Sequence, residues 1–467
     1  MTSPQREKKS SKLNAMVQQL RNDILHNGKY AQGDFLPSEL ALVSQFGLSN
    51  KTVRKGLEHL IAEGLIEKVD RVGSKVIASA RQPAATVIFG SMWSIERDMK
   101  ISQLLERFRS SHPHIRVELV MIPTSDYTGT IESHLSAGLV DVIVVNDELF
   151  WQMTDRSEEL PLQPLFRDER TYSYLNDSFT HRGMLYAQPL VFSPIVMAYN
   201  RDHFDEAGVP QPDGGWTWDD ATRYAAKLSI PGQRYGLCFY PLSNNRWPVF
   251  LLQSGMDFTS VADGRVRLSN SKLIEHIKLY KNIIRNRDFF PDYLAESSRD
   301  FVHLFRRGQA SMIISTYMSL YEFASDGPNY DLSPIPYRGE PNTLLTAIGI
   351  AINKHSRNKE AATTFVEFLK SPSSQRLIRE QTLSIPAVRE AAELAEAGGE
   401  LRRPARFGMY RNIAPSFRRF ADLGLSAAAF NKLRELLKLY GSDLIDEQTL
   451  CEQLEAAIRI DPFKRSH

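Results

Sequence analysis

The chain has 467 residues, of which 42% are hydrophobic and 24% are charged, and its formal net charge at pH 7 is +2. This composition is typical of a globular protein and excludes a collagen-like, coiled-coil or wholly disordered chain. At roughly 100–200 residues per domain, the length predicts about three globular units. No apolar run reaches the roughly 18 residues that a membrane-spanning helix needs.

The cysteines and the N-terminus indicate the compartment. Only Cys238 and Cys451 occur, far apart and without metal-ligand spacing. We therefore expect no disulfide framework, no metal and no cofactor. The first 12 residues are polar and basic and lack the apolar segment of a secretory signal, so we expect a cytoplasmic protein.

Charge is distributed unevenly. Residues 1–80 hold 12 Lys and Arg against 8 Asp and Glu, and the rest of the chain holds 45 against 47. A mildly basic N-terminal part on a near-neutral body is compatible with nucleic-acid binding. The same surplus is also compatible with an ordinary solvated surface.

The N-terminal part shows the pattern of three helices followed by a hairpin. Helical spacing of apolar residues predicts a first helix over 12–26. Ser38 opens a second helix, whose expected apolar face is Leu40, Leu42, Val43 and Phe46. Ser49 or Asn50 caps a third helix, with expected core positions Val53, Leu57, Leu60 and Ile61. Residues 65–78 then predict a short hairpin.

Two short helices joined by a glycine-containing turn are typical of a DNA-binding helix-turn-helix. The third helix would lie in the major groove, with Asn50, Lys51, Thr52, Arg54 and Lys55 exposed near its start. Asn and Arg can read adenine and guanine edges, while Lys and Thr can hold phosphates. The alternative is a three-helix packing module with a solvated polar face.

The sequence of this segment resembles the GntR family of bacterial transcription regulators. The resemblance covers 12–78 and rests on Leu36-Pro-Ser-Glu39, Phe46-Gly-Leu-Ser49, Thr52-Val-Arg-Lys-Gly-Leu57 and Glu63-Gly-Leu-Ile66. It implies a winged helix that binds a palindromic DNA operator as a homodimer. It implies DNA contacts by Ser38, Asn50, Lys51, Thr52, Arg54, Lys55, Arg71, Gly73 and Ser74.

Three positions depart from the family pattern. Leu40 stands where the family usually has Arg, Asn50 stands where Arg is frequent, and the wing has Gly73-Ser74 where Gly-Thr is usual. These departures bear on the operator sequence and not on the class. A small, polar, proline-containing linker follows at 79–85.

The body from residue 86 alternates strands and helices. Strands are predicted at 86–89, 115–122 and 140–145, with helices at 98–110 and 126–138 between them. This βαβ succession predicts a parallel sheet, and ligands of such sheets bind beyond the C-terminal ends of the strands. Side chains expected there are Trp93, Asp126, Tyr127, Asn146, Asp147 and Glu148.

The body resembles family 1 extracellular solute-binding proteins, the group that includes maltose-binding protein. The motifs that carry the resemblance are Leu105-Glu-Arg-Phe108, His112-Pro-His-Ile-Arg-Val117, Leu185-Tyr-Ala-Gln-Pro189, Met197-Ala-Tyr-Asn200, Trp216-Thr-Trp-Asp-Asp220 and Phe305-Arg-Arg-Gly-Gln-Ala310. The resemblance spans about 86–460. It implies two α/β lobes, joined by crossover strands, that close over a ligand.

Carbohydrate ligands require aromatic faces and hydrogen-bonding groups in a concave site. Tyr317 stands where the family often has a stacking Trp, and the residues after 235–239 are expected to line the second lobe. Our candidates for ligand binding are Trp93, Tyr127, Asn146, Asp147, Tyr240, Asn245, Trp247 and Tyr317. For each aromatic side chain, the alternative is a position in the core.

The predicted fold class is therefore α/β, a winged helix-turn-helix followed by a two-lobed periplasmic-binding-protein-like (type II) domain. We expect the DNA-binding domain at 10–78, the linker at 79–85 and the effector domain at 86–467. Lobe 1 is expected at about 86–190 and 345–395, and lobe 2 at about 193–342 and 396–467.

Together the two halves predict a cytoplasmic transcriptional regulator whose operator affinity is controlled by a small ligand, a sugar or oligosaccharide. Neither a Walker-type phosphate loop nor a Gly-x-Ser-x-Gly elbow occurs, and we do not expect catalysis. The alternative is a body that serves as a ligand-free dimerisation scaffold. An arginine-rich run, expected first to be a solvated helix face, comprises Arg402, Arg403, Arg406, Arg411, Arg418 and Arg419.

Overall fold

The computed structural model describes residues 4–25, 29–70, 72–77, 85–123, 127–256, 267–292, 295–394 and 401–458. The side chains of 4–11 and 127–128 are outside that description. The chain divides into two compact units, Met1–Val87 with Glu106–Glu118, and Ile88–Leu105 with Leu119–His467. Each unit is treated in turn.

The N-terminal elements are those of a winged helix-turn-helix. They are α1 (Pro4–Leu25), α2 (Glu39–Phe46), α3 (Asn50–Ala62), β1 (Ile66–Val69) and β2 (Gly73–Val76). Ser38 caps α2 by accepting a hydrogen bond from the amide of Ala41, and Ser49 caps α3 by accepting one from Thr52. Gly47, with φ at +60°, ends α2 in the left-handed conformation that the tight turn requires.

The core of this part comes from all three helices and the hairpin. Buried members are Met16, Val17, Leu20, Ile24, Leu36, Leu42, Leu48, Val53, Leu57, Leu60, Leu65, Ile66 and Val76. Two predicted core positions are wrong: Leu40 is 73% exposed and Ile61 is largely exposed. Leu42 and Leu60 already fill the inward face of α2 and α3, so these two side chains point to solvent.

Strands β1 and β2 form the predicted hairpin. They pair antiparallel, with Ile66 opposite Val76 and Val69 opposite Gly73. Ile66 and Val76 are both buried, which anchors the base of the hairpin in the core. The wing is therefore held by the same apolar cluster that packs the helices.

The remaining strands build one large mixed sheet and one two-stranded ribbon. They are β3 (Ala85–Ser91), β4 (Ile115–Met121), β5 (Val142–Asn146), β6 (Thr180–His181), β7 (Met184–Leu185), β8 (Gln188–Asn200), β9 (Tyr235–Cys238), β10 (Ala310–Thr316), β11 (Tyr330–Ser333), β12 (Thr343–Ile352), β13 (Ile385–Pro386) and β14 (Phe417–Arg418). The main order is β4-β3-β5-β12-β8-β10-β9. The predicted strand–helix–strand alternation at the start of the body is confirmed, with bounds shifted by up to three residues and the helix predicted at 98–110 divided between α4 and α5.

The remaining helices lie between these strands. They are α4 (Ile95–Met99), α5 (Ile101–Ser111), α6 (Tyr127–Ser136), α7 (Asp147–Arg156), α8 (Ser173–Ser178), α9 (Arg201–Glu206), α10 (Trp218–Leu228), α11 (Pro248–Gln253), α12 (Lys272–Arg285), α13 (Ser298–Arg306), α14 (Tyr317–Leu320), α15 (Lys359–Leu369), α16 (Pro372–Gln381), α17 (Arg389–Ala392), α18 (Ala427–Gly441) and α19 (Glu447–Ala457). Short 3-10 turns occur at Tyr321–Phe323, Phe407–Arg411, Ala414–Ser416 and Phe420–Leu423.

Strand β8 joins the two halves of the large sheet. Its first part, Gln188–Pro194, pairs with β12, and its second part, from Ile195 on, pairs with β10 and β11. Every residue of β8 is buried. A continuously buried strand that pairs in both halves of the sheet is what a two-lobed fold with crossover strands requires.

None of the described helices is both long and apolar enough to cross a membrane. Across the same described ranges, no group of three or more His, Cys, Asp or Glu side chains is arranged to hold a metal ion.

Candidate functional site

The start of α3 presents the polar surface that the sequence predicted. Asn50, Lys51, Arg54 and Lys55 are exposed, and Thr52 is half-buried. Thr52 is held by Ser49, since their side-chain oxygens lie 2.7 Å apart. The exposed amide and cationic groups are of the kind that contact base edges and phosphates.

Arg54 is oriented by an ion pair with α2. Its Nε donates to Oε2 of Glu39 at 2.6 Å, and Ser38 accepts the Ala41 amide at 3.2 Å beside it. The first turn of α2 thus fixes the direction of an arginine on α3. In the wing, Gly73 has φ at +145° and Ser74 lies on β2, while Arg71 lies outside the described residues.

The second unit contains a cavity of about 580 Å³. Its wall includes Trp93, which follows β3, Asn146, which ends β5, and Ala347 on β12. Strands β3 and β5 are parallel neighbours, so their C-terminal ends meet at this wall. The cavity therefore lies where open α/β sheets bind ligands, and its volume is in the usual range for small-molecule sites.

The structure brings four of the eight predicted ligand residues to this cavity: Trp93, Asn146, Asp147 and Asn245. The side chain of Tyr127 lies outside the described residues. Tyr240 lines a different cavity of about 500 Å³, beside Tyr280 and Phe301.

The structure corrects the placement of Trp247 and Tyr317. Trp247 is 1% exposed and stacks on Phe430 at 4.7 Å between ring centroids. Tyr317 is fully buried, and its hydroxyl donates to the backbone oxygen of Phe407 at 2.9 Å. Both side chains belong to the apolar cores, because helices and turns from the C-terminal third of the chain cover them.

Asp147 is an acid of the cavity wall whose pKa is strongly raised. Its Oδ1 accepts from the Ala347 amide at 3.1 Å, while its Oδ2 is buried and accepts no hydrogen bond from a described residue. Burial raises the pKa of Asp147 to about 8, more than the hydrogen bond to Ala347 lowers it. The carboxyl is therefore mainly protonated at neutral pH.

Glu148 lies next to it in the wall and faces the other lobe. Its Oε1 accepts from Nδ2 of Asn244 at 2.6 Å. Burial raises the pKa of Glu148, and the hydrogen bond from Asn244 and the charge of Arg434 act in the opposite direction. Arg434 also donates to Oδ1 of Asn244 at 3.0 Å, so the three side chains form one chain of contacts.

Two arginines of the wall were not predicted, Arg97 and Arg299. Arg97 lies on α4, where it pairs with Asp98 at 2.7 Å and with Glu322 at 2.8 Å. Arg299 lies in the first turn of α13, with its Cζ 4.4 Å from the ring centroid of Trp93. The sequence Ser297-Ser-Arg-Asp300 is a capping-box pattern, which predicts that a helix starts here. The pattern does not predict that Arg299 contacts Trp93.

The arginine-rich run is not a solvated helix face, because it passes through 3-10 turns and four of its six side chains bind other segments. Arg402 donates to Oδ1 of Asn329 at 2.9 Å, and Arg403 donates to the backbone oxygen of Thr382 at 3.2 Å. The remaining partners are Pro212 for Arg406, Ala392 for Arg411, Pro415 for Arg418 and Asp422 for Arg419.

These arrangements define a protein that combines a winged-helix DNA-binding domain with a two-lobed ligand-binding fold. Residues 13–76 match the bacterial regulatory proteins of the gntR family, and residues 103–400 match the bacterial extracellular solute-binding proteins. The chain thus belongs to the bacterial extracellular solute-binding protein family and carries a GntR DNA-binding domain.

Similar proteins agree with this assignment. The sn-glycerol-3-phosphate-binding periplasmic protein UgpB of Escherichia coli is 24% identical over 365 residues, 70% of this chain and 80% of UgpB. An ABC substrate-binding protein from Listeria monocytogenes in complex with cycloalternan superposes with a TM-score of 0.69 at 20% identity, over 80% of this chain and 98% of that one. Maltose-bound MalE3 of T. maritima superposes with a TM-score of 0.68 at 17% identity, over 80% and 99%.

Proposed function

We propose that the protein is a cytoplasmic transcriptional regulator whose affinity for a DNA operator is controlled by a sugar or oligosaccharide bound in the 580 Å³ cavity. The observation that carries the proposal is the presence, in one chain, of a GntR domain and a solute-binding fold with a concave polar site. The carbohydrate class is supported by the similar structures that hold cycloalternan and maltose.

In this proposal the protein acts as a homodimer on a palindromic operator. The exposed start of α3 enters the major groove, and dimer symmetry sets the half-site spacing. Ligand binding favours the closed arrangement of the two lobes, and that change alters operator affinity. A ligand shifts such an equilibrium only by its different affinity for the two arrangements.

We also propose that the cavity binds its ligand without converting it. Both neighbouring carboxyls already have structural partners, Asp147 the Ala347 amide and Glu148 the Asn244 side chain. Recovery of the bound ligand by mass spectrometry after long incubation with the protein should return the unchanged compound. A hydrolysed or modified product would refute this part.

The test has two stages on the full-length protein. Thermal unfolding is measured against a panel of mono- and oligosaccharides, sugar acids and sugar phosphates. A ligand at 100 times its dissociation constant stabilises the native state by about 2.7 kcal/mol, which shifts the unfolding midpoint measurably. A panel without any shift would favour the alternative, a body that serves as a dimerisation scaffold.

A ligand found in this way is then added to an operator-binding titration. Coupling of about 1–3 kcal/mol would change operator affinity roughly 5–150-fold. The direction decides between an inducer and a corepressor. Tight ligand binding with unchanged operator affinity would contradict the proposed coupling.

A further inference from the structure

Arg246 is a buried cation that forms no ion pair with an acid of the described residues. It lines the cavity at 5% exposure, and its Nη1 donates to Oδ1 of the neighbouring Asn245. Among the residues that the structure describes, no carboxylate oxygen lies within ion-pair distance of its guanidinium. An unpaired buried charge costs free energy, so such a group calls for a partner that is not part of the fold.

Arg246 stays charged although its surroundings disfavour the charge. Burial, and then repulsion from Arg97, lower the pKa of Arg246 to about 10, which still leaves it protonated at neutral pH. Arg97 itself is neutralised by Asp98 and Glu322. Asp98 and Glu322 therefore do not balance the charge of Arg246.

Arg299 supplies a second cation on the same wall. It is exposed, it is in no ion pair with a described residue, and its guanidinium covers a face of Trp93. Its nearest acid in sequence, Asp300, is occupied because Oδ2 accepts from the amides of Glu296 and Ser297. The nine-residue helix α13 also directs its positive dipole end toward this wall.

Two further acids of the wall, Asp147 and Glu148, form no ion pair with Arg246 or Arg299 in the part of the chain that the structure describes, since Asp147 accepts from the Ala347 amide and Glu148 from Asn244. The cavity therefore has a cationic side, formed by Arg246, Arg299 and the start of α13.

We propose that the ligand carries an anionic group, a carboxylate or a phosphate ester, which Arg246 and Arg299 bind, while the hydroxyl and carboxyl groups of the cavity hold the sugar. Guanidinium groups match the geometry of both oxyanions and bind them with charge-assisted hydrogen bonds. The ligand class is then a sugar acid or a sugar phosphate. This inference rests on the proposed ligand-binding function and narrows it.

Matched ligands test the inference by calorimetric titration of the full-length protein. The probes are glucose, glucuronate and glucose 6-phosphate, glycerol and sn-glycerol 3-phosphate, and inorganic phosphate. An anionic member should bind about tenfold or more tighter than its neutral counterpart, and its affinity should fall as ionic strength rises. The carboxylate and phosphate members distinguish the two sources of negative charge.

Variants assign the effect to the cavity. Arg299→Gln alters an exposed side chain and should fold normally while losing tenfold or more in affinity for the anionic probe. Arg246→Gln should lose as much, and Arg246→Lys, which keeps the charge, should recover part of it. Arg306→Gln is the matched control, because Arg306 lies on the same helix, pairs with Asp326 at the surface and does not line the cavity.

The outcomes separate this inference from the proposed function. Equal binding of neutral and anionic members, unchanged in Arg299→Gln, would overturn the anionic ligand and leave a carbohydrate-binding regulator. Absence of binding by every anionic probe would overturn the anionic ligand, and the panel of mono- and oligosaccharides would then decide separately on the proposed function. Anion binding that is unchanged in both Arg299→Gln and Arg246→Gln would also overturn the anionic-ligand inference, because the anion would then bind outside this cavity.

Discussion

Arg54 and Glu39 are joined across the helix-turn-helix, with Nε of Arg54 2.6 Å from Oε2 of Glu39. The pair connects the exposed face of α3 to the first turn of α2. A solvent-exposed ion pair contributes little stability. We propose that the pair orients Arg54 for contact with DNA, which would then replace Glu39 at small cost.

Arg54→Ala should weaken operator binding without altering the fold. An arginine that reads a base edge contributes about 1–3 kcal/mol and sequence discrimination at one position. A labelled operator fragment is first obtained by selection with the wild-type protein. Fluorescence anisotropy with this fragment and its base-substituted versions then measures operator affinity and sequence discrimination. Ligand binding should be unchanged.

Arg21→Ala is the matched control for that variant. Arg21 is also ion-paired, but its partner Glu63 lies at the opposite end of α3 from the DNA-facing turn. Operator affinity should stay near the wild-type value. Equal losses in Arg21→Ala and Arg54→Ala would mean that general charge, and not contact by the start of α3, produces the effect.

Trp247→Ala should destabilise the second unit. The side chain is buried and stacked on Phe430, so its removal leaves a cavity that costs about 3–5 kcal/mol. Tyr317→Phe should cost about 1–3 kcal/mol, because the buried carbonyl of Phe407 loses its donor. Differential scanning calorimetry checks both. Normal stability with a selective loss of ligand binding would show that Trp247 and Tyr317 contact the ligand after all.

Trp93→Ala should weaken ligand binding while leaving stability nearly unchanged. Trp93 is 50% exposed and lines the cavity, and an aromatic contact contributes about 0.5–1.5 kcal/mol. Phe166→Ala is the control, since Phe166 is an exposed aromatic residue outside the cavity wall. Calorimetric titration of both variants with the identified ligand should show a loss for Trp93→Ala alone.

The sequence was informative where short-range physics decides the outcome. The caps Ser38 and Ser49 and the continuously apolar run of β5 follow from the local sequence, and the structure confirms them. Asn146 ends the parallel strand β5 and Asp147 follows it directly, which predicts that both lie at the cavity. Sheet topology alone determines that position.

Which aromatic and apolar side chains are buried depends on long-range packing, which the local sequence does not predict. Trp93 and Trp247 are equally aromatic, yet Phe430, 183 residues after Trp247, covers only the latter. Leu40 fits the apolar period of α2, but its side chain is 73% exposed. Arg299 reaches Trp93 across more than 200 residues, and no local pattern encodes such a contact.

Asp147→Asn should change how stability depends on pH. The folded-state pKa of Asp147 is about 8, above its ordinary value of 3.8. Between these values the unfolded carboxyl is ionised while the folded one stays protonated, so the wild type loses stability as pH rises. The slope approaches about 1.4 kcal/mol per pH unit, and it ends above the folded pKa.

Asn cannot titrate and retains an oxygen for the Ala347 amide. The unfolding midpoint of Asp147→Asn relative to the wild type should therefore rise from pH 5 to pH 8 and then level off. Asp168→Asn is the control: pairing with Arg170 lowers the pKa of Asp168 to about 2, so that carboxyl is ionised in both states throughout this window. Thermal unfolding at pH 5, 7, 8 and 9 measures the difference, and an Asp147→Asn offset that stays constant across this range would show that the carboxyl is already ionised in the folded protein.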